Sequence, residues 1–143
     1  MKKIYYLLLL ALPLVLQSCF KDDDDIFDKS ASQRMEERLV HDQQVLMGAT
    51  NGWIMEYFPE KKQSYGGYTM FVKFGDNNAV TVASEKGKAD QTETSMYELI
   101  ADSGPVLTFN THNSLFHYFS DPNNPDEIGP IDSGMGGDYE FMV

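Results

Sequence analysis

The chain has 143 residues, 22 of them acidic and 11 basic, for a net charge of −11 at neutral pH. That balance excludes nucleic acid as a partner, whose phosphates it would repel, and electrostatic attachment to an anionic membrane surface. A single cysteine excludes an internal disulfide framework, and 13% aromatic residues exclude a disordered chain, which would be poorer in rings.

In chain order, Lys2 and Lys3 precede an apolar run from Ile4 to Leu16. A basic tip before a short hydrophobic core predicts a secretory signal, and the run is too short to cross a bilayer as a helix. Cys19 follows the small Ser18, with Leu16 three places before it. This arrangement resembles the lipobox of bacterial lipoproteins, which implies a signal peptide over residues 1–18 and lipid on Cys19. Lys21, Asp22 and Asp23 resemble the export tag of Bacteroidota lipoproteins displayed on the outer face of the outer membrane. A buried structural thiol is the weaker reading of Cys19, and a solvated spacer for the aspartates is compatible with an export tag. Without residues 1–18, 125 residues remain with 9 basic against 22 acidic, a net charge of −13. That length suits one domain, residues 30–143, behind an acidic tether over residues 19–29.

Ser30 to Gly48 reads as a helix. Ser30 and Gln33 have the spacing of a capping box; Met35, Leu39, Val40, Leu46 and Met47 fall near one face, and Gly48 stops it. From Gly52 the period becomes two. Trp53, Met55 and Tyr57 alternate with Ile54, Glu56 and Phe58 until Pro59 ends the strand. A polar turn closed by Gly66 and Gly67 leads to Tyr68–Phe74, with Tyr68, Met70, Val72 and Phe74 on one face. Residues 75–78, Gly-Asp-Asn-Asn, are tight-turn chemistry before a strand over Ala79–Ala83. Further strands are expected over Thr92–Ala101 and Val106–Phe109, then one or two helical turns over Asn113–Phe119. Residues 121–137 carry too many prolines and glycines for a regular element, and Asp138–Val143 reads as the start of another strand. Close connections make neighbouring strands antiparallel. The expected fold is mainly β with an N-terminal helix (α+β): an antiparallel meander sheet or partial barrel, incomplete at its C-terminal end, where apolar residues close the chain.

Few residue patterns here carry chemistry. His112 and His117 are five apart, off the spacing that puts two ligands on one helical face, so neither a metal nor a cofactor is expected. Asp121 to Glu127 is rich in oxygen, but Pro125 and Asp126 depart from a calcium loop, which favours a solvated loop. The glycines of residues 133–137 lack the Lys-Ser/Thr ending of a phosphate loop. No nucleophile elbow and no recognisable pair of catalytic carboxylates stand out. Trp53, Tyr65 and Tyr68, with Tyr57 nearby, are the candidate ligand-binding residues, since a tyrosine or tryptophan joins apolar area to a polar handle. Strand alternation assigns Trp53, Tyr57 and Tyr68 to a core face instead, leaving Tyr65 the least explained by packing.

The segments Asp25–Ser30, Asn51–Trp53, Ser64–Tyr68, Gly104–Phe109 and Gly136–Phe141, in that order, resemble landmarks of the domain-of-unknown-function family four-three-zero-two. The resemblance implies a Bacteroidota surface lipoprotein, of a kind often encoded near SusC/SusD-type nutrient importers, and members that run beyond the end of this chain. It brings no activity and no catalytic residues. The function expected is a surface-anchored, non-enzymatic accessory or binding lipoprotein, with a SusC/SusD-type importer or a glycan or peptide ligand as partner. An extracellular hydrolase with unassigned carboxylates is the alternative, and a structural part of an envelope complex a third. A concave aromatic patch would favour binding, facing carboxylates in a cleft hydrolysis, and a broad flat apolar face assembly.

Overall fold

A computed structural model describes residues 28–143. Cys19, Lys21, Asp22 and Asp23 lie outside the described residues. A helix, α1 (Ala31–Gly48), leads into β1 (Trp53–Tyr57), β2 (Tyr68–Phe74), β3 (Ala79–Ser84) and β4 (Glu93–Met96). These four strands form an antiparallel sheet in the order β1-β2-β3-β4. β5 (Glu98–Ala101), β6 (Pro105–Thr108) and β7 (Glu140–Met142) form a second antiparallel sheet in the order β5-β6-β7. Among the described residues neither sheet closes into a barrel.

The alternation expected for Tyr68–Phe74 is present: Met70, Val72 and Phe74 are buried while Phe71 and Lys73 are exposed. Cross-strand partners share a face, so the register of Trp53 with Val72, Met55 with Met70 and Tyr57 with Tyr68 puts all three β1 side chains on the core side. Between β2 and β3 the chain reverses through Asn77 and Asn78, both left-handed, a conformation asparagine tolerates better than most residues.

The structure differs from the sequence reading at the strand expected over Thr92–Ala101. It is two strands in two sheets, parted at Tyr97. Met96 still pairs with Ala79, and Glu98 already pairs with Thr108. Between them the Tyr97 amide donates to the Asn78 carbonyl at 2.9 Å, and its ring packs edge-on to Phe74 with centroids 4.9 Å apart. The single meander is thereby divided into sheets of four and three strands, and residues from both meet in one core.

That core is largely aromatic. Phe109 and Phe116 stack at 3.9 Å, Tyr57 lies 5.0 Å from Phe119, and Tyr68 lies 4.7 Å from Phe119. Phe119 belongs to the short 3-10 turn His117–Phe119, which falls inside the helical turns expected over Asn113–Phe119. The glycine-rich return strand-ward is held to it: the amides of Met135 and Gly137 both donate to the Phe119 carbonyl, at 3.2 and 3.0 Å. A Cβ on Gly137 would sit 2.6 Å from the Tyr57 hydroxyl and 2.7 Å from Phe119, so only glycine lets the chain pass this close.

The expected apolar stripe of α1 is buried far less than its pattern suggests. Met35, Leu39, Leu46 and Met47 are half-buried, Val40 is exposed, and the one buried residue of the helix is Asp42. Arg38 Nε lies 2.7 Å from both Asp42 carboxylate oxygens. The helix is tied to the sheet by Gln43 Nε2, which donates to Asn78 Oδ1 at 3.0 Å, and by Trp53 Nε1, which donates to the Leu46 carbonyl at 2.9 Å.

Candidate functional site

The sequence singled out Trp53, Tyr65 and Tyr68, and the structure does not gather them into one patch. Tyr68 pairs with Tyr57 at one end of the β1–β2 ladder and Trp53 with Val72 at the other. Four residues of strand separate the two ends, about 13 Å. Trp53 spends its indole N–H on the helix C-terminus, and Tyr68 is half-buried against Phe119. Tyr65 does sit in the turn between β1 and β2, but its ring is half-buried against the core rather than free of it.

A cluster without any local signal in the sequence lies beside Tyr68. The turn after β3 sets Lys86, and the Glu85 amide prolongs the β2–β3 ladder by donating to the Thr69 carbonyl at 3.3 Å. Lys86 Nζ lies 2.8 Å from Asp126 Oδ2, with the Tyr118 ring centroid at 4.7 Å and that of Tyr68 at 5.9 Å. The Tyr118 hydroxyl donates to the same Asp126 oxygen. Asp126 is presented by a loop built around Asn124, which is only 2% exposed. Asn124 Nδ2 donates to the carbonyls of Ile128 and Asp121, at 2.8 and 3.3 Å, and its Oδ1 accepts the Ile128 amide at 3.0 Å. The hydrogen bond to Asp126 raises Lys86, that from Lys86 lowers Asp126, and burial raises Tyr118. All three move away from neutrality. They form a fixed cation, anion and phenol, which suits holding and recognition rather than proton transfer near pH 7.

The second cluster joins Glu93, Asn113, Ser114 and His117. Ser114 donates its hydroxyl to Glu93 Oε2 and its amide to Oε1, the latter at 3.0 Å. Burial would raise the Glu93 carboxyl, but the two Ser114 hydrogen bonds, helped by His112 and His117, outweigh it and hold it below the usual range. His117 Nε2 lies 3.0 Å from the Phe109 carbonyl, and its Nδ1 lies 3.1 Å from the Asn113 amide nitrogen. Both ring nitrogens are thus used by the backbone. The ring stacks on His112 at 5.5 Å and does not approach Ser114 as a base would. These groups close a turn. Among the described residues, no group of three or more His, Cys, Asp or Glu is placed to hold a metal ion.

Several hollows open on the described residues, and two bear most on ligand binding. One, of about 510 Å³, lies within the 122–132 loop and is lined by residues such as Asn123, Asn124, Glu127 and Ile128, with no aromatic ring in its wall. The other, of about 560 Å³, runs along the free side of β1. Met55, Tyr57, Phe58, Glu56 and Glu60 line one wall, and Asp138 and Phe141, from the approach to β7 and β7 itself, line the other. Tyr57 ties the two walls by donating its hydroxyl to the Asp138 carbonyl at 2.8 Å, and its ring lies 6.2 Å from Phe141. Phe58 is half-exposed there, and it lies over Gly67, where a Cβ would come within 2.6 Å of its ring. Of the four aromatics picked from sequence, only Tyr57 lines this groove. Phe58 and Phe141 were missed because strand alternation gave no reason to separate them from other strand phenylalanines.

Among the described residues no helix is long and apolar enough to cross a membrane. Comparison with curated proteins and with solved structures finds no match. Residues 23–143 match the family described as Domain of unknown function (DUF4302), and the chain belongs to that family.

Proposed function

We propose that this protein is a lipoprotein anchored through Cys19, displayed on the outer face of the outer membrane, and that it serves as a non-enzymatic binding module of a nutrient-uptake system. The address rests on the sequence: the basic tip, the short apolar run, Leu16 and Ser18 before Cys19, and Lys21, Asp22 and Asp23 behind it. The binding role rests on one observation above all. The open groove beside β1 offers rings and carboxylates to a ligand, while Lys86, Asp126, Glu93, Ser114 and His117 are engaged in fastening loops. A groove of about 560 Å³ falls within the size range of small-ligand and peptide sites.

Metabolic labelling with an alkyne fatty acid tests the anchor: wild type is labelled and Cys19→Ala is not. Protease shaving of intact cells tests display, since replacing Lys21, Asp22 and Asp23 by alanine should protect the protein inside the envelope. A glycan and peptide array probed with the detergent-solubilised protein tests binding. An array without a single saturable ligand would defeat the binding role.

A further inference from the structure

The free edge of β1 has a chemistry that its groove makes specific. Hydrogen bonds between β2 and β3 involve the odd-numbered residues of β2, since Thr69 accepts from Glu85 and Gly75 donates to Ala79. Antiparallel strands alternate their bonding sides, so Met70 and Val72 bond toward β1 and pair there with Met55 and Trp53. The N–H and C=O groups of Ile54 and Glu56 therefore face away from the sheet, into the open, with no strand beside them among the described residues. Ile54 is 68% exposed. Phe141 and Asp138 line the same groove as this edge, both in contact with Tyr57. The groove carries Glu56, Glu60 and Asp138 against the single cation Lys61, so its wall is acidic as well as apolar.

We infer that the β1 edge and its groove bind an extended peptide segment of a partner protein as an added strand, with basic residues toward Glu56 and Asp138 alternating with apolar residues toward Met55 and Phe141. The reading rests on the binding role proposed above and names its ligand class. Main-chain hydrogen bonds to Ile54 and Glu56 supply affinity, and the alternating wall supplies specificity. Charge selects the occupant. A second copy of this chain, with a net charge of −11, would bring an acidic edge to an acidic edge, whereas a basic strand neutralises it. Tyr57, by closing the groove at Asp138, fixes where the added strand must end.

The test uses the full chain in detergent and four fluorescent hexapeptides. One alternates lysine and valine, one alternates glutamate and valine, and two are the lysine peptide methylated on the amide nitrogens of alternate residues, one in each register. The lysine peptide should bind saturably and the glutamate peptide at least tenfold more weakly. One register of methylation should lose tenfold or more while the other is tolerated, a signature that charge attraction alone does not produce. The double variant Glu56→Lys with Asp138→Lys, both at exposed positions, should reverse the preference between the lysine and glutamate peptides while leaving the melting temperature within a few degrees. Equal binding of both charge types, equal effects of the two methylation registers, or concentration-dependent dimerisation that blocks the peptide would each overturn the inference. Absence of peptide binding alongside a saturable glycan on the array overturns this inference and leaves the binding role intact; absence of both removes the two together.

Discussion

The helix α1 and the irregular segment from Asn113 to Gly137 invert the usual relation between regular structure and packing. α1 has eighteen hydrogen-bonded residues and buries only Asp42. The irregular segment holds a 3-10 turn of three residues, yet Asn113 and Phe119 are fully buried and Phe116, Asn124 and Met135 nearly so. The difference lies in what satisfies the backbone. A helix meets its own hydrogen bonds and can stand apart from the core, whereas an irregular chain can enter the core only where side chains replace the missing ladder. Asn113 does this for one turn and Asn124 for the next. The anchoring weight of the fold accordingly sits in its least regular part.

If so, the largest losses of stability come from that segment. Phe119→Ala removes a fully buried ring in contact with Tyr57 and Tyr68, and it should cost about 3–5 kcal/mol in urea unfolding. Val40→Ala, at a half-exposed helix position, should cost no more than about 0.5 kcal/mol. Comparable losses at the two sites would break the contrast.

Asn113 comes next. Its Oδ1 accepts the amides of Leu115 and Phe116, both at 3.1 Å, and its Nδ2 donates to the Glu93 carbonyl and to Ser95 Oγ, both at 3.2 Å. Asn113→Ala leaves two buried amides without an acceptor, for an expected loss of about 2–4 kcal/mol. Asn113→Asp keeps the acceptor but buries a carboxyl and sets an oxygen against the Glu93 carbonyl, so it too should be destabilised; stability equal to wild type would show that the Nδ2 donors do not matter.

How much of this was legible follows the same division. The alternation of Tyr68, Met70, Val72 and Phe74 and the turn at Asn77 and Asn78 are local signals, and the structure realises both. The change of sheet at Tyr97 was not legible, because burial keeps alternating through Ser95, Met96, Tyr97 and Glu98 and no glycine or proline marks the bend. The sparse burial of α1 escaped the helical pattern, which reports a face and not what covers it. The Lys86, Tyr118 and Asp126 cluster joins residues up to 40 apart, a juxtaposition made by the loop around Asn124 and by nothing in the local sequence. Phe58 and Phe141 come together as groove walls through the meeting of β1 with β7, which lie in different sheets far apart in sequence.

Two carboxylates of this region make the fold sensitive to acid. Asp126 and Glu93, both in or beside the irregular segment, have carboxyls held below their ordinary values, by Lys86 and by Ser114 respectively. A folded-state value below the unfolded one gives stability that is present above about pH 4 and lost as pH falls through the folded value. Melting temperature should therefore fall as pH drops below about 4, and Asp126→Asn with Glu93→Gln should flatten that fall while lowering stability at pH 7. At neutral pH, Lys86→Ala should cost about 1–2 kcal/mol, since it also removes a cation from the face of Tyr118. An unchanged acid slope in the double variant would place the acid-sensitive groups elsewhere.

The smallest effect belongs to the pair on the helix. Arg38 and Asp42 are four apart, and Arg38 is 55% exposed, so solvent and salt screen their attraction even though Asp42 is buried. Burial would raise Asp42, but hydrogen bonds from Arg38 and His41 bring it net below its ordinary value, so this pair also loses its contribution in acid. Arg38→Ala should cost about 0.3–0.5 kcal/mol in low salt, and less as salt rises to 1 M, where screening reaches within about 3 Å. Lys86→Ala should keep more of its cost in the same salt, because its contact with the Tyr118 ring adds to the screened pair with Asp126. The discriminating quantity is therefore the salt dependence of each loss. If Arg38→Ala proves as costly and as salt-resistant as Lys86→Ala, the helix is anchored through Asp42 as firmly as the irregular segment is through its asparagines, and the contrast between the two regions fails.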